Sequence, residues 1–172
     1  MDIELDPPRG VTGIALGLSL DEGVAAAARY GRVTVSAPQP AQVEVDGETL
    51  ALPTKVLALG DGFEVSVHVE DGVSVTAIEV WRPRDPETDV RVLYDGIDVF
   101  RTPALRLLEL IEARGHAVDR DDEPEYYSVP DLPLGFTRVA GHEVPLADDG
   151  EPLYFEAVLV GGPGYYDPPA QP

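Results

Sequence analysis

Between Phe63 and Glu70 the chain alternates strictly, with Phe63, Val65, Val67 and Val69 in one phase and Glu64, Ser66, His68 and Glu70 in the other. A period of two sends the two sets to opposite faces, so this run predicts an antiparallel strand with one buried and one wet face. Strand-like runs at 42–45 and 48–52 meet at Asp46-Gly47, and a run at 73–81 is joined to 63–69 through Asp71-Gly72. Asp-Gly between alternating runs is a strong short-range hairpin signal, because both positions tolerate the left-handed backbone of a tight turn. Further strands are predicted at 126–129, 134–139 and 153–160, the last two separated by a polar loop through Ala147 to Pro152.

A helical period occurs twice. Ser19-Leu20-Asp21-Glu22 has the form of a capping box, in which Ser19 accepts from an early helical N–H and Glu22 reaches back to the cap's own N–H. The helix it opens offers Val24, Ala27 and Ala28 and ends at Gly31. Thr102-Pro103 predicts a second start, with Thr102 as cap and proline at the first helical position, where a missing N–H costs nothing. In that helix Ala104, Leu107, Leu108 and Ile111 form an apolar stripe opposite Arg106, Glu109, Glu112 and Arg114, and Gly115 ends it.

Both helices come after a Gly-Ile pair at the same distance. Gly13 and Gly96, like Ser19 and Thr102, stand 83 positions apart. Together with the strands downstream of each helix, this predicts an α+β fold of two tandem copies, each a short helix followed by an antiparallel β-meander, with the helices packed on one face of the sheet. The first copy spans 1–84 and the second 85–172, as separate repeats or one continuous domain. The Pro- and charge-rich stretch Arg82 to Asp89 is the joint, since it cannot continue a strand.

The phrase Gly13-Ile14-x-Leu16-Gly17-x-Ser19-x-x-Glu22 resembles the opening of small α/β modules of the SmpA/BamE lipoprotein kind. A tandem pair of such modules is similar to the architecture of the β-lactamase inhibitory proteins, which present a concave sheet to an enzyme. The resemblance implies a binding or inhibitory scaffold and carries over no individual binding residue. Those families are exported and carry cysteine, whereas this chain has no cysteine and no secretory signal at its start.

Charge changes the picture more than composition does. With 32 acidic and 12 basic residues the net charge is -20, which repels phosphate backbones and anionic headgroups and steers a basic partner inward. Nucleic-acid and membrane binding are therefore disfavoured, although strong acidity also serves solubility or a high-salt host. Zero cysteines remove disulfides, thiolate zinc sites and cysteine nucleophiles. No apolar run reaches the length of a membrane span, and the chain reads as cytoplasmic.

Candidate chemistry is sparse. The three histidines, His68, His116 and His142, match no metal spacing, and no nucleophile elbow, Walker loop or dinucleotide fingerprint is present. Gly161-Gly162-Pro163-Gly164 reads as a turn, and the acidic run Asp119 to Glu125 lacks the central glycine and final glutamate of a calcium loop. Neither a cofactor nor a metal is expected. The aromatics are more suggestive. Adjacent pairs on an extended strand must send one ring to each face, so Tyr126-Tyr127 and Tyr165-Tyr166 each predict an outward ring, beside Trp81 and Tyr154. Exposed tyrosine and tryptophan dominate interface energies.

These features favour a non-catalytic binding protein, acting as an immunity or inhibitor protein would on a positively charged protein partner. Its candidate contact residues are Trp81, Tyr126, Tyr127, Tyr154, Tyr165 and Tyr166, with Asp121, Asp122 and Glu123 as an anionic patch. The alternatives are a small-molecule enzyme or ligand binder with a pocket between the two repeats, and a homodimer that buries the spare aromatics.

Overall fold

The computed structural model describes residues 1–36, 54–85, 87–120, 125–139 and 144–166, and the backbone of 39–45 and 48–52. Among them the first half of the chain forms β1 (Asp2–Asp6), β2 (Gly10–Val11), β3 (Ile14–Ala15), α1 (Leu20–Ala27), β4 (Arg32–Ser36), β5 (Gln39–Val45), β6 (Glu48–Leu52), β7 (Thr54–Leu59), β8 (Glu64–Val69) and β9 (Ala77–Trp81). The second forms β10 (Arg91–Tyr94), β11 (Ile97–Asp98), α2 (Ala104–Glu112), β12 (Asp119–Arg120), β13 (Tyr126–Val129), β14 (Leu134–Thr137) and β15 (Ala157–Gly161).

These strands build an eight-stranded sheet in the order β12-β13-β14-β15-β9-β8-β7-β4, a five-stranded sheet in the order β11-β10-β1-β2-β3, and a β5-β6 ribbon. Pairing is antiparallel throughout except where β1 runs parallel to β10, with Ile3 opposite Val92. Arg91 clamps that pair by donating to both carboxylate oxygens of Asp2, at 2.9 and 2.5 Å. Both sheets draw strands from either side of residues 84 and 85.

The expectation of an α+β fold with two helix-plus-meander copies and helices covering one sheet face is corrected by this architecture. The molecule is mostly β, with about 40% of residues in strands and 14% helical, and a tandem repeat is not evident. The physical reason is area. A helix of eight or nine residues is only about 13 Å long, while eight strands spaced about 4.8 Å span more than 30 Å. A second sheet is needed to cover such a surface, and Ile3, Leu5, Val11 and Ile14 from the five-stranded sheet join Val56, Val65, Val67, Ile78, Val158 and Val160 in one buried cluster.

The likeness at offset 83 survives only locally. Val11 pairs with Ile14 and Gly10 with Ala15, while Tyr94 pairs with Ile97 and Leu93 with Asp98, so the two small hairpins share one register. Their turns use Gly13 at φ 76° and Gly96 at φ 75°. Beyond the hairpins the two halves differ: among the described residues six strands separate α1 from β10, including the β5-β6 ribbon, and four come after α2.

The helix signals are mostly realised. Ser19 and Glu22 form the capping box, with Glu22 Oε2 accepting from the Ser19 N–H at 2.9 Å. Ala104, Leu107, Leu108 and Ile111 are all buried on α2. Two details differ. Pro103, not Thr102, is the residue that caps α2, and no side chain bonds there. On α1 the buried face is Gly23 and Ala27, and Gly23 packs so close to the sheet that a Cβ there would meet Val75 Cγ2 at 3.0 Å. The Asp71-Gly72 connection is a wider loop than a tight hairpin, with β9 beginning at Ala77 and the Asp71 carboxylate accepting from the N–H groups of Val73 and Ser74 at 2.8 and 2.7 Å. The Asp46-Gly47 turn lies outside the described residues.

Candidate functional site

Strand register fixes which side chains share the face of the large sheet that looks away from the core. Tyr126, Thr137, Ala157, Trp81 and Glu64 stand in one row across β13, β14, β15, β9 and β8. The next row carries Ser128, Gly135, Leu159, Glu79 and Ser66, and a third places Gly161, Ala77, His68 and Lys55 side by side. Tyr126 is 46% exposed, and Trp81 and Leu159 are half-buried.

Glu79 is the polar centre of this face. Its Oε2 accepts from Trp81 Nε1 at 3.1 Å and lies 3.5 Å from both Lys55 Nζ and His68 Nε2. Burial by itself would raise the Glu79 pKa, but His68 and Lys55 outweigh it and hold the carboxyl below its ordinary range. His68 Nε2 is buried without a hydrogen-bond partner. Ser66 is fully buried, so the fully wet face predicted from the alternation is corrected: part of it is covered.

The turn after β15 packs on this face over β14 and β15. Tyr165 N–H donates to Gly162 at 3.0 Å, and the turn sets the two tyrosine rings edge-to-face with centroids 5.2 Å apart. Tyr165 packs over Gly161 and Tyr166 over Gly135, in space that a side chain at either glycine would occupy. Glycine inside a strand marks such close approach. Tyr165 Oη donates to Glu70 at 2.8 Å. Burial, reinforced for Tyr165 by that bond and for both rings by the charges of Glu70 and Glu79, raises the two phenol pKa values well above the usual tyrosine range. The prediction of one ring to each face fails here because the segment turns and is not extended.

For Tyr126-Tyr127 the alternation does split the rings. Tyr127 turns into the core at 9% exposure, where it meets Phe155 edge-to-face at 5.7 Å. Of the candidate contact residues, the fold therefore brings Trp81, Tyr126, Tyr165 and Tyr166 to one face and buries Tyr127. Tyr154 lies elsewhere, and Asp121, Asp122 and Glu123 lie outside the described residues.

Tyr154 lines a cleft of about 300 Å³ with Arg82, Arg84, Arg101, Val90, Val92 and Phe100 among its walls. The supposed joint thus forms one wall, and its backbone is pinned, with Arg82 N–H donating to Glu156 at 2.7 Å and Arg84 N–H to Gly62 at 2.9 Å.

Sequence reasoning missed Arg138. It continues the inward phase of Leu134 and Phe136 on β14 and is only 1% exposed. Its guanidinium donates to both oxygens of Asp149 at 2.9 and 3.1 Å and to Pro152 O at 2.6 Å, fixing the 144–154 loop to the sheet. Its inward register was the available signal.

The class defined by this geometry is a predominantly antiparallel, two-sheet β protein with a partly covered outer face. Comparison with protein-family models, curated proteins and solved structures finds no match. Among the described residues no helix is long and apolar enough to cross a membrane.

Proposed function

We propose that this is a non-catalytic binding protein that engages a positively charged protein partner through the outer face of the eight-stranded sheet, in the manner of an immunity or inhibitor protein. The observation that carries this reading is the shared row of Trp81 and Tyr126 on the face opposite the core, three strands apart or about 14 Å. Aromatic anchors held by a rigid sheet lose little rotamer entropy on binding. Glu64, Glu70 and Glu79 lie on or beside this face, and the net charge of -20 supplies long-range attraction for a basic surface.

The test is a pull-down from host lysate at low salt, followed by calorimetry with the captured protein and with Tyr126→Ala and Trp81→Ala. The expected result is a basic partner bound 1:1, with affinity falling steeply as salt rises and each substitution weakening it at least about tenfold. A partner whose affinity ignores both substitutions and salt would overturn the reading.

A further inference from the structure

The geometry points to a second binding site: the cleft beside β10 is a receptor for a small organic carboxylate with a compact apolar body, held by Arg84 and Arg82 over a floor of Val90, Val92 and Phe100. The site borders one end of the outer sheet face, since Arg82 and Arg84 also line a hollow with Trp81 and Glu64.

Among the described residues Arg29, Arg32 and Arg84 form no ion pair, and of these three Arg84 lines the cleft. Six arginine–carboxylate pairs among the described residues have nitrogen–oxygen separations from 2.5 to 2.9 Å. Arg82 stands 3.5 Å from Glu156, beyond a good hydrogen bond. The Arg84 side chain makes no ion pair or hydrogen bond among the described residues, although its backbone is held by Gly62. In a chain with 32 acids, a guanidinium at a cleft mouth that forms no ion pair among the described residues is set to receive an incoming anion. Arg101 is anchored, donating to Thr88 O at 2.5 Å and standing 3.4 Å from Asp98, and so forms a fixed wall.

The floor selects the ligand class. Val90, Val92 and Phe100 are at most 9% exposed and present apolar surface to the cleft, so inorganic phosphate would satisfy the arginines and leave the floor uncovered. A planar carboxylate accepts the two parallel N–H groups of a guanidinium, and an attached ring or branched chain covers the floor. A volume near 300 Å³ is at the small end of ligand pockets and admits a body of about ten heavy atoms. Asp85 and Asp98 on the rim disfavour a dianion.

The test is an amide NMR titration of the full chain at constant ionic strength with benzoate, benzyl alcohol and inorganic phosphate in separate arms. Benzoate is expected to give saturable shifts confined to 82–92, 98–101 and the neighbourhood of Tyr154, with benzyl alcohol and phosphate each binding at least about tenfold more weakly. Arg84→Gln, an exposed substitution that breaks no pair, should weaken benzoate about tenfold, and Arg84→Lys should restore part of the loss. Binding of benzyl alcohol or phosphate as tight as benzoate, an unchanged affinity in Arg84→Gln, or shifts that scatter without saturating would each overturn the proposal. Tyr126→Ala, on a strand that contributes nothing to the cleft, should leave benzoate binding unchanged, so the two readings fail separately.

Discussion

Arg138 and Asp149 show how a single inward charge is made tolerable. A buried guanidinium is costly unless its donors are used, and here Nε, Nη1 and Nη2 all have acceptors. Arg138→Met is expected to cost about 1 to 3 kcal/mol in urea unfolding, because Pro152 O loses its donor inside the fold, while Asp149 is exposed enough not to be left as a buried charge. The bond to Arg138 lowers the folded-state pKa of Asp149 below its ordinary value. Stability from the pair is therefore present above the ordinary carboxylate range and is lost as pH falls through the depressed value. Urea midpoints measured from neutral pH downward should fall less steeply in Arg138→Met than in the native chain.

At the scale of elements, the turn after β15 and the strands beneath it form one unit. Gly135 and Gly161 leave room on β14 and β15, and Tyr166 and Tyr165 fill it. Both phenols have folded pKa values above the unfolded value of about 10, so the contribution of this turn is complete below that pH and is lost as pH rises above it. Absorbance at alkaline pH should show four of the seven tyrosines ionising late, buried Tyr30 and Tyr94 together with Tyr165 and Tyr166, the last two latest of all. Gly135→Ala should return Tyr166 toward ordinary titration while the chain stays folded, since the displaced atom is the far end of a side chain. Late titration unchanged in Gly135→Ala would show that the ring is held by something other than this gap. The alternation at 63–70 made β8 legible in the sequence, but not what would cover its polar phase.

For the whole molecule, the parallel pairing of β1 with β10 joins segments 89 positions apart. Asp2 to Asp6 keeps a strict alternation with Ile3 and Leu5 inward, a strand signal as clean as that of β8 but hidden among acids. Ile3 is fully buried, so Ile3→Ala is expected to cost about 3 kcal/mol by denaturant unfolding, and a cost below about 1 kcal/mol would mean that β1 contributes little to the core. The net charge of -20 repels itself in the compact state, so added salt should raise the melting temperature at neutral pH.

Local periodicity and capping chemistry determined β8, the capping box on α1, the buried stripe of α2 and the split of Tyr126 from Tyr127, because each depends on neighbours within a few residues. Which strands became partners was decided by tertiary structure. Two short helices could not cover eight strands, so β1, β2, β3, β10 and β11 assembled a second sheet. The same long-range assembly placed Trp81 and Tyr126 in one row and gathered three arginines around a cleft, since register and loop docking are set by the burial of one shared core.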